Sequence, residues 1–268
     1  MTLHGKVVFM TNADDNSGET LIKRLADEGA HFILNSVSDG KDIQESLAYC
    51  QSQGVKTTVV NVDLSKSSEV KTMLERVAPQ IGTVDVFIHN TNVVIPTSVE
   101  TCDEETFLKV MDRNTKSAFI CTKEVGKQMA EKESGRIIYI SSIHAEKPTG
   151  SSFVYSVSRG ALKLLARESA LYLGRYGVNV NAIELGPIDG DDEKFTSHIS
   201  KLYDDYQYKV PSTRLGNDDD LADLVLYLAS DHARYINGAD IRLDGGFLLH
   251  YMDHKMKKPT VRSESHPS

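Results

Sequence analysis

The segment YSVSRGALKLLARESA sets Tyr155 and Arg159 four residues apart, a spacing that puts both on one face of a helix. Thirteen residues before Tyr155, Ser142 closes the β-branched run GRIIYISS. A phenol, a hydroxyl and a cation together form a carbonyl-reducing set. The phenol gives a proton, the serine holds the substrate oxygen and the cation favours the phenolate. A free tyrosine titrates near pH 10, so proton transfer near neutrality needs that value lowered by a few units, at about 1.4 kcal/mol each. The same spacing equally describes a packed tyrosine and a surface arginine.

The elements that would position these groups alternate along the chain. Strands are expected at residues 6–11, 31–35, 56–61, 84–89, 135–141, 178–184 and 239–243, several of them apolar on consecutive residues. Such runs suit parallel strands covered on both faces. Helices are expected at 18–29, 41–53, 67–81, 104–133, 155–176 and 219–230. The alternation implies an α/β fold, a single Rossmann-like doubly wound parallel sheet of about seven strands with helices on both faces. One domain is expected over 1–250. Within it the polar stretch 187–216 follows a strand end, where ligands bind, and reads as a substrate lid or as a solvated connection. Residues 251–268 read as a disordered polar tail. His250 and His254 are four apart but have no evident third ligand, and no metal is expected.

Composition narrows the function. The chain has 268 residues, 40% hydrophobic and 25% charged, ordinary for a globular protein with a core. A net charge of −8 argues against nucleic acid and anionic membranes as partners. No apolar run approaches the roughly 20 residues that span a bilayer. Cys50, Cys102 and Cys121 are an odd, unpaired set, which suits a reducing interior and a cytoplasmic location.

The stretch VVFMTNADDNSGETLIKRLA passes from strand to helix through a turn with one glycine, Gly18, and two acids, Asp14 and Asp15. Asn16 and Glu19 have capping-box spacing, so the chain is expected to cap its own helix and use donors that a phosphate would otherwise take.

In its order of motifs the chain resembles the short-chain dehydrogenase/reductase family over about residues 5–249. VDLS resembles the family segment whose acid, here Asp63, meets the adenine. DVFIHNTN resembles its Asn-Asn-Ala-Gly strand end, with Asn90 retained. VMDRNTKSAFICTK places Asn114 at the helix-kinking catalytic Asn. RIIYISSI and YSVSR place Ser142 and Tyr155 at the catalytic Ser and Tyr, and Asp244-Gly245-Gly246 matches the closing Asp-Gly-Gly. The resemblance implies a catalytic set of Asn114, Ser142, Tyr155 and Arg159. It also implies a dinucleotide site using Thr11, Asn12, Asn16, Gly18, Ser36, Asp63, Asn90 and Gly186.

The departures cluster around that site. Thr-Gly-x-x-x-Gly-x-Gly is here Thr11 to Gly18 with only the third glycine kept. Asn tolerates positive φ best among non-glycine residues. Each added acid would oppose a pyrophosphate about 6 Å away by up to roughly 3 kcal/mol. The family's Tyr-x-x-x-Lys, whose lysine holds the nicotinamide ribose, is Tyr155-x-x-x-Arg159, a swap that is not conservative. The Pro-Gly after the sixth strand is Leu185-Gly186, and Asn92 adds a side chain where the ribose should pass. The usual NAD or NADP signal is missing at Ser36 and Val37, while Asp15 tilts slightly against NADP.

Two functional readings follow. One is an NAD- or NADP-dependent oxidoreductase interconverting a small-molecule carbonyl and a secondary alcohol. The other is a catalytically impaired protein of the same fold, acting as a binding or assembly subunit. In either case the resemblance implies a homodimer or homotetramer formed through the long helices at 104–133 and 155–176, which have the length and apolar content for it.

Overall fold

The structure, a computed structural model, describes residues 2–189 and 209–249. Most of the lid expectation and the whole tail expectation therefore lie outside the described residues. The seven strands are β1 (Val7–Met10), β2 (His31–Asn35), β3 (Thr57–Val60), β4 (Val86–His89), β5 (Gly135–Ser142), β6 (Val178–Leu185) and β7 (Asp240–Leu243). They form one sheet in the order β3-β2-β1-β4-β5-β6-β7, and each neighbouring pair is parallel.

The helices cover both faces because each carries one apolar stripe. On one side lie α1 (Asn16–Asp27), α2 (Gln44–Ser52) and α7 (Asp218–Ala229). Leu21, Ile22 and Leu25 of α1 and Leu221, Val225 and Leu228 of α7 share a core with Val8 and Met10 of β1. On the other side lie α3 (Ser67–Ile81), α5 (Ser117–Glu131) and α6 (Phe153–Leu173). There Val70, Leu74, Val77 and Ile81 recur at helical spacing and pack with Phe9 and Phe87, whose rings stack at 5.3 Å. Residues 8 and 9 of β1 thus feed opposite cores, which explains why the strand reads as an unbroken apolar run.

Several boundaries differ from expectation, α6 for one beginning at Phe153 rather than at Tyr155, and two of them shape the site. The helix expected over 104–133 is divided into α4 (Glu104–Met111), a π-helical turn (Asp112–Lys116) and α5. The helix expected from Gly18 begins two residues earlier, at Asn16. Chain order reverses between β1 and β4, and a ligand crevice forms at the carboxyl ends of strands at such a point.

Candidate active site

Ser142 ends β5 and caps the short 3₁₀ turn Ile143–Ala145, accepting a hydrogen bond from the backbone N–H of His144 at 3.3 Å. Its Oγ also lies 2.9 Å from His144 Nδ1. The His144 ring meets the edge of the Tyr155 ring at a centroid distance of 5.3 Å. Burial, assisted by the charge of Arg159, pushes the imidazole down to about 4, so His144 is neutral at physiological pH.

Tyr155 occupies the first turn of α6 and is almost fully buried, and Arg159 one turn later is wholly buried. The guanidinium lies over the phenol ring, 4.7 Å from its centroid, within cation–π range. Ser142, Tyr155 and Arg159 therefore share one buried cluster, and the surface-arginine alternative does not hold.

The guanidinium is turned into the protein. Its Nη2 donates to the Thr91 carbonyl at 3.0 Å and to Asn92 Oδ1 at 2.9 Å, and Nη1 donates to the Ile140 carbonyl at 3.3 Å. Asn92 and Arg159, two separate departures in the sequence, are thus bonded to each other. Among the described residues no carboxylate pairs with Arg159, so its charge is balanced only by carbonyl dipoles and the ring. An unneutralised buried charge acts strongly on its neighbours. Where the family's lysine holds a ribose, this cation gives three of its five N–H groups to Thr91, Asn92 and Ile140, and its Nε is buried without a hydrogen-bond partner among the described residues.

The π turn brings Asn114 inside. One extra residue per turn rotates the side chain inward, where Oδ1 accepts from the Val93 N–H and Nδ2 donates to the Val93 carbonyl, both at 2.9 Å. Nδ2 also donates to Ser158 Oγ at 3.1 Å, tying the turn to α6. The Asn114 carbonyl faces His89 Nε2 at 2.9 Å, and His89 Nδ1 faces Thr11 Oγ1 at 3.4 Å. Since a carbonyl only accepts, the ring proton sits on Nε2, and Thr11 donates to Nδ1. Burial drives His89 down to about 3, with Arg159 adding to the effect and the Asn114 contact opposing it. His89 was not singled out from the sequence, where nothing marks a histidine as a strand-end bridge.

At the β1–α1 turn, Asn12 takes φ +52°, the left-handed conformation that asparagine tolerates. Its side chain donates to the Asn90 carbonyl, and Asn90 Nδ2 returns a bond to the Asn12 carbonyl, both at 3.4 Å. Thr11 Oγ1 accepts from the Asn90 N–H at 2.9 Å. Thr11, Asn12 and Asn90 thus lock the turn across the switch point. Gly18 survives for packing, because a Cβ there would lie 2.2 Å from the Ala13 carbonyl oxygen. Gly186 has a similar reason, with its Cβ position 2.6 Å from Asp244 Cα.

The self-capping expectation is corrected. Asp15, in extended conformation, is the N-cap and makes no side-chain cap bond. Asn16 is an exposed first helical residue, and Glu19 pairs with Lys23 instead. Starting one residue earlier removes Asn16 from the cap position that a capping box requires. Nor does Asp14 sit at the helix terminus; its carboxylate is bonded to the loop after β2, Ser36 included.

Between that loop and β4 lies a cavity of about 220 Å³ lined by Asn12, Asn35, Val37, Asp63, Thr91 and Arg113, among others. It is smaller than the roughly 300 Å³ at which whole-ligand pockets begin, and suits a base or nucleoside better than a whole dinucleotide. Asp63 is held in its wall by Ser65, whose N–H and hydroxyl donate to Oδ1 at 3.0 and 2.7 Å. The residues present therefore fit the adenosine half of a dinucleotide. At the far half the cation faces inward.

Comparison with known proteins agrees with this architecture. The family model described as Enoyl-(Acyl carrier protein) reductase matches residues 14–248. A 3-oxoacyl-[acyl-carrier-protein] reductase of Staphylococcus epidermidis is 29% identical over 245 residues, covering 91% of this chain and 99% of the relative. A short-chain dehydrogenase/reductase structure from Serratia marcescens superposes with TM-score 0.82 at 27% identity, over 92% of this chain and 99% of the other. An NAD⁺-bound xylitol dehydrogenase superposes with TM-score 0.83 at 25% identity, over 92% and 100% of the two chains. The chain belongs to the short-chain dehydrogenase/reductase family of oxidoreductases.

Proposed function

We propose that the protein is a nicotinamide-dinucleotide-dependent oxidoreductase that interconverts a carbonyl and a secondary alcohol on a small molecule. The observation that carries this reading is the buried cluster of Ser142, Tyr155 and Arg159, joined through Thr91 to the nucleoside-sized cavity. The dinucleotide, when bound, supplies or takes the hydride. Asn12, Asp63 and Thr91 line the space for its adenosine half.

In the reducing direction the Tyr155 hydroxyl gives its proton to the substrate oxygen. Ser142 donates a hydrogen bond to the same oxygen. When neutral His144 carries its proton on Nδ1, it donates to Ser142 Oγ and leaves the serine proton for substrate. Arg159 acts through Tyr155, its charge lying against the ring where negative charge develops on the phenol. Asn114 pins the π turn to α6 and so fixes the height of Tyr155.

Replacing Tyr155 by Phe removes only the proton donor. Turnover of carbonyl substrates should fall by about 10²- to 10⁴-fold with dinucleotide affinity unchanged. Equal turnover by the variant would remove Tyr155 from the reaction.

One observation favours the second reading, a binding or assembly subunit: both N–H groups of Arg159 Nη2 and one of Nη1 are given to Thr91, Asn92 and Ile140. Failure of any dinucleotide to bind would select it. Under either reading we propose a homodimer or homotetramer, supported by an open apolar groove of about 660 Å³ along α5 and α6 with Phe119, Gly126, Leu165, Tyr172 and Tyr176 in its walls. Sedimentation at micromolar protein checks this, and a sole monomer contradicts it.

A further inference from the structure

Asp14 is held by the three consecutive residues that follow β2. Its Oδ1 accepts from Ser36 Oγ at 2.7 Å and from Ser38 Oγ at 2.8 Å, and its Oδ2 accepts from the Val37 N–H at 2.7 Å. The loop is built around this acceptor. Ser36, itself fully buried, accepts from the Gly40 N–H at 2.7 Å, and Ser38 accepts from the Asp42 N–H at 3.1 Å. The two hydroxyl oxygens lie 3.2 Å apart, and because a carboxylate only accepts, both direct their protons to Asp14 at the shorter distances. Gly40, at φ +81°, closes the loop. Two O–H groups and one N–H converging on one carboxylate make a seat for an anion, and among the described residues no Lys, Arg or His forms an ion pair with Asp14.

The seat borders the nucleoside cavity, since Val37, whose N–H donates to Asp14, also lines that cavity. The end of the second strand in this topology is where the ribose of an adenosine cofactor is read, by an acid for free hydroxyls or by a base for a phosphate. Here the two positions that directly follow the strand, Ser36 and Val37, carry neither side chain, and Asp39 and Lys41 lie further along the loop as exposed residues. The loop presents anion-binding donors that the chain fills with its own carboxylate.

We propose that Asp14 is a built-in occupant of this seat and the residue that sets cofactor choice: the site accepts adenosine with free ribose hydroxyls and refuses adenosine bearing a 2′-phosphate. The refusal has two parts. The donors that would serve the phosphate are taken, and a fixed negative charge stands where a dianion would have to enter. Replacing Asp14 by a small neutral residue frees Ser36, Val37 N–H and Ser38 for the phosphate.

This inference rests on the proposed dinucleotide reading, so the test uses probes without the nicotinamide. ADP-ribose and 2′-phospho-ADP-ribose, which differ only by the 2′-phosphate, are titrated calorimetrically into the wild type and into Asp14→Ser and Asp14→Asn. The expected result is at least tenfold tighter binding of ADP-ribose by the wild type, with the preference reduced at least tenfold in Asp14→Ser. Asn keeps the shape and one acceptor without the charge, so Asp14→Asn should show a smaller reduction. Equal binding of the two probes by the wild type overturns the proposal without any variant being needed. So does an unchanged preference in folded variants, and both outcomes leave the oxidoreductase reading standing. Binding of neither probe overturns the proposal and the dinucleotide reading together.

Discussion

Acidification should destabilise this protein, in part through His89 at the heart of the site. Folded His89 is pushed down to about 3 against 6.5 for an unperturbed imidazole, because burial disfavours the charged ring and Arg159 adds to this, with the Asn114 carbonyl opposing it. Between those values the unfolded chain binds the proton and the folded chain does not. Stability from neutral His89 is therefore complete above pH 6.5 and is lost as pH falls through 6.5 towards 3, at up to about 1.4 kcal/mol per unit. From pH 7 to pH 5 the loss from this residue alone is about 2 kcal/mol. The assay is urea denaturation of wild type and His89→Asn at both pH values. The variant has a constant offset from lost packing, but its drop between pH 7 and pH 5 should be smaller by about 2 kcal/mol. Equal drops in the two proteins would mean that His89 is solvated or charged in the native state, and the bridge from Thr11 through His89 to Asn114 would be wrong.

The Asn92–Arg159 contact at 2.9 Å predicts coupling in a double-mutant cycle of Asn92→Ala and Arg159→Lys. The pair should be non-additive by about 1.5 kcal/mol in urea denaturation, the scale of a charge-assisted hydrogen bond, and additivity within about 0.3 kcal/mol would refute it. Gly18→Ala drives a Cβ to 2.2 Å from a backbone oxygen. It should cost about 1–3 kcal/mol and lower Tm by several degrees, whereas an unchanged Tm would show that the β1–α1 turn can relax. Lys163→Met leaves buried Glu184 without the ammonium that lies 2.8 Å away, for an expected loss of about 3 kcal/mol at pH 7. A melt matching the wild type would show that Arg242, whose Nε lies 3.6 Å from Glu184 Oε2, suffices for Glu184.

The five inner strands were legible because doubly buried segments leave continuous apolar runs, and the half-buried edge strands TTVV and DIRL were legible from β-branched residues at their places in the alternation with helices. The lengths of α3 and α7 were legible from apolar spacing. The π turn at Asp112–Lys116 was not, since a single widened turn leaves the apolar stripe of α4 and α5 nearly in phase. The start of α1 was misplaced because Asp15 and Asn16 are both good capping residues by type, and only backbone conformation chooses between them. Within the site, residue types located Ser142, Tyr155 and Arg159. What each side chain touches was hidden wherever the partner lies far along the chain. Asn92 and Arg159 are 67 residues apart, and Asp14 and Ser36 are 22 apart. Read separately, each substitution looked like damage to the cofactor site. In the fold, Asn92 accepts a bond from Arg159, and Asp14 satisfies a loop.

The central claim is that this fold still takes a nicotinamide dinucleotide beside Tyr155. Titration of the purified protein with NADH and with NADPH, read by nicotinamide fluorescence and calorimetry, tests it most directly. Binding of NADH in the micromolar range is the predicted result. Absence of binding by either up to millimolar concentration would contradict the account and turn the search towards protein partners.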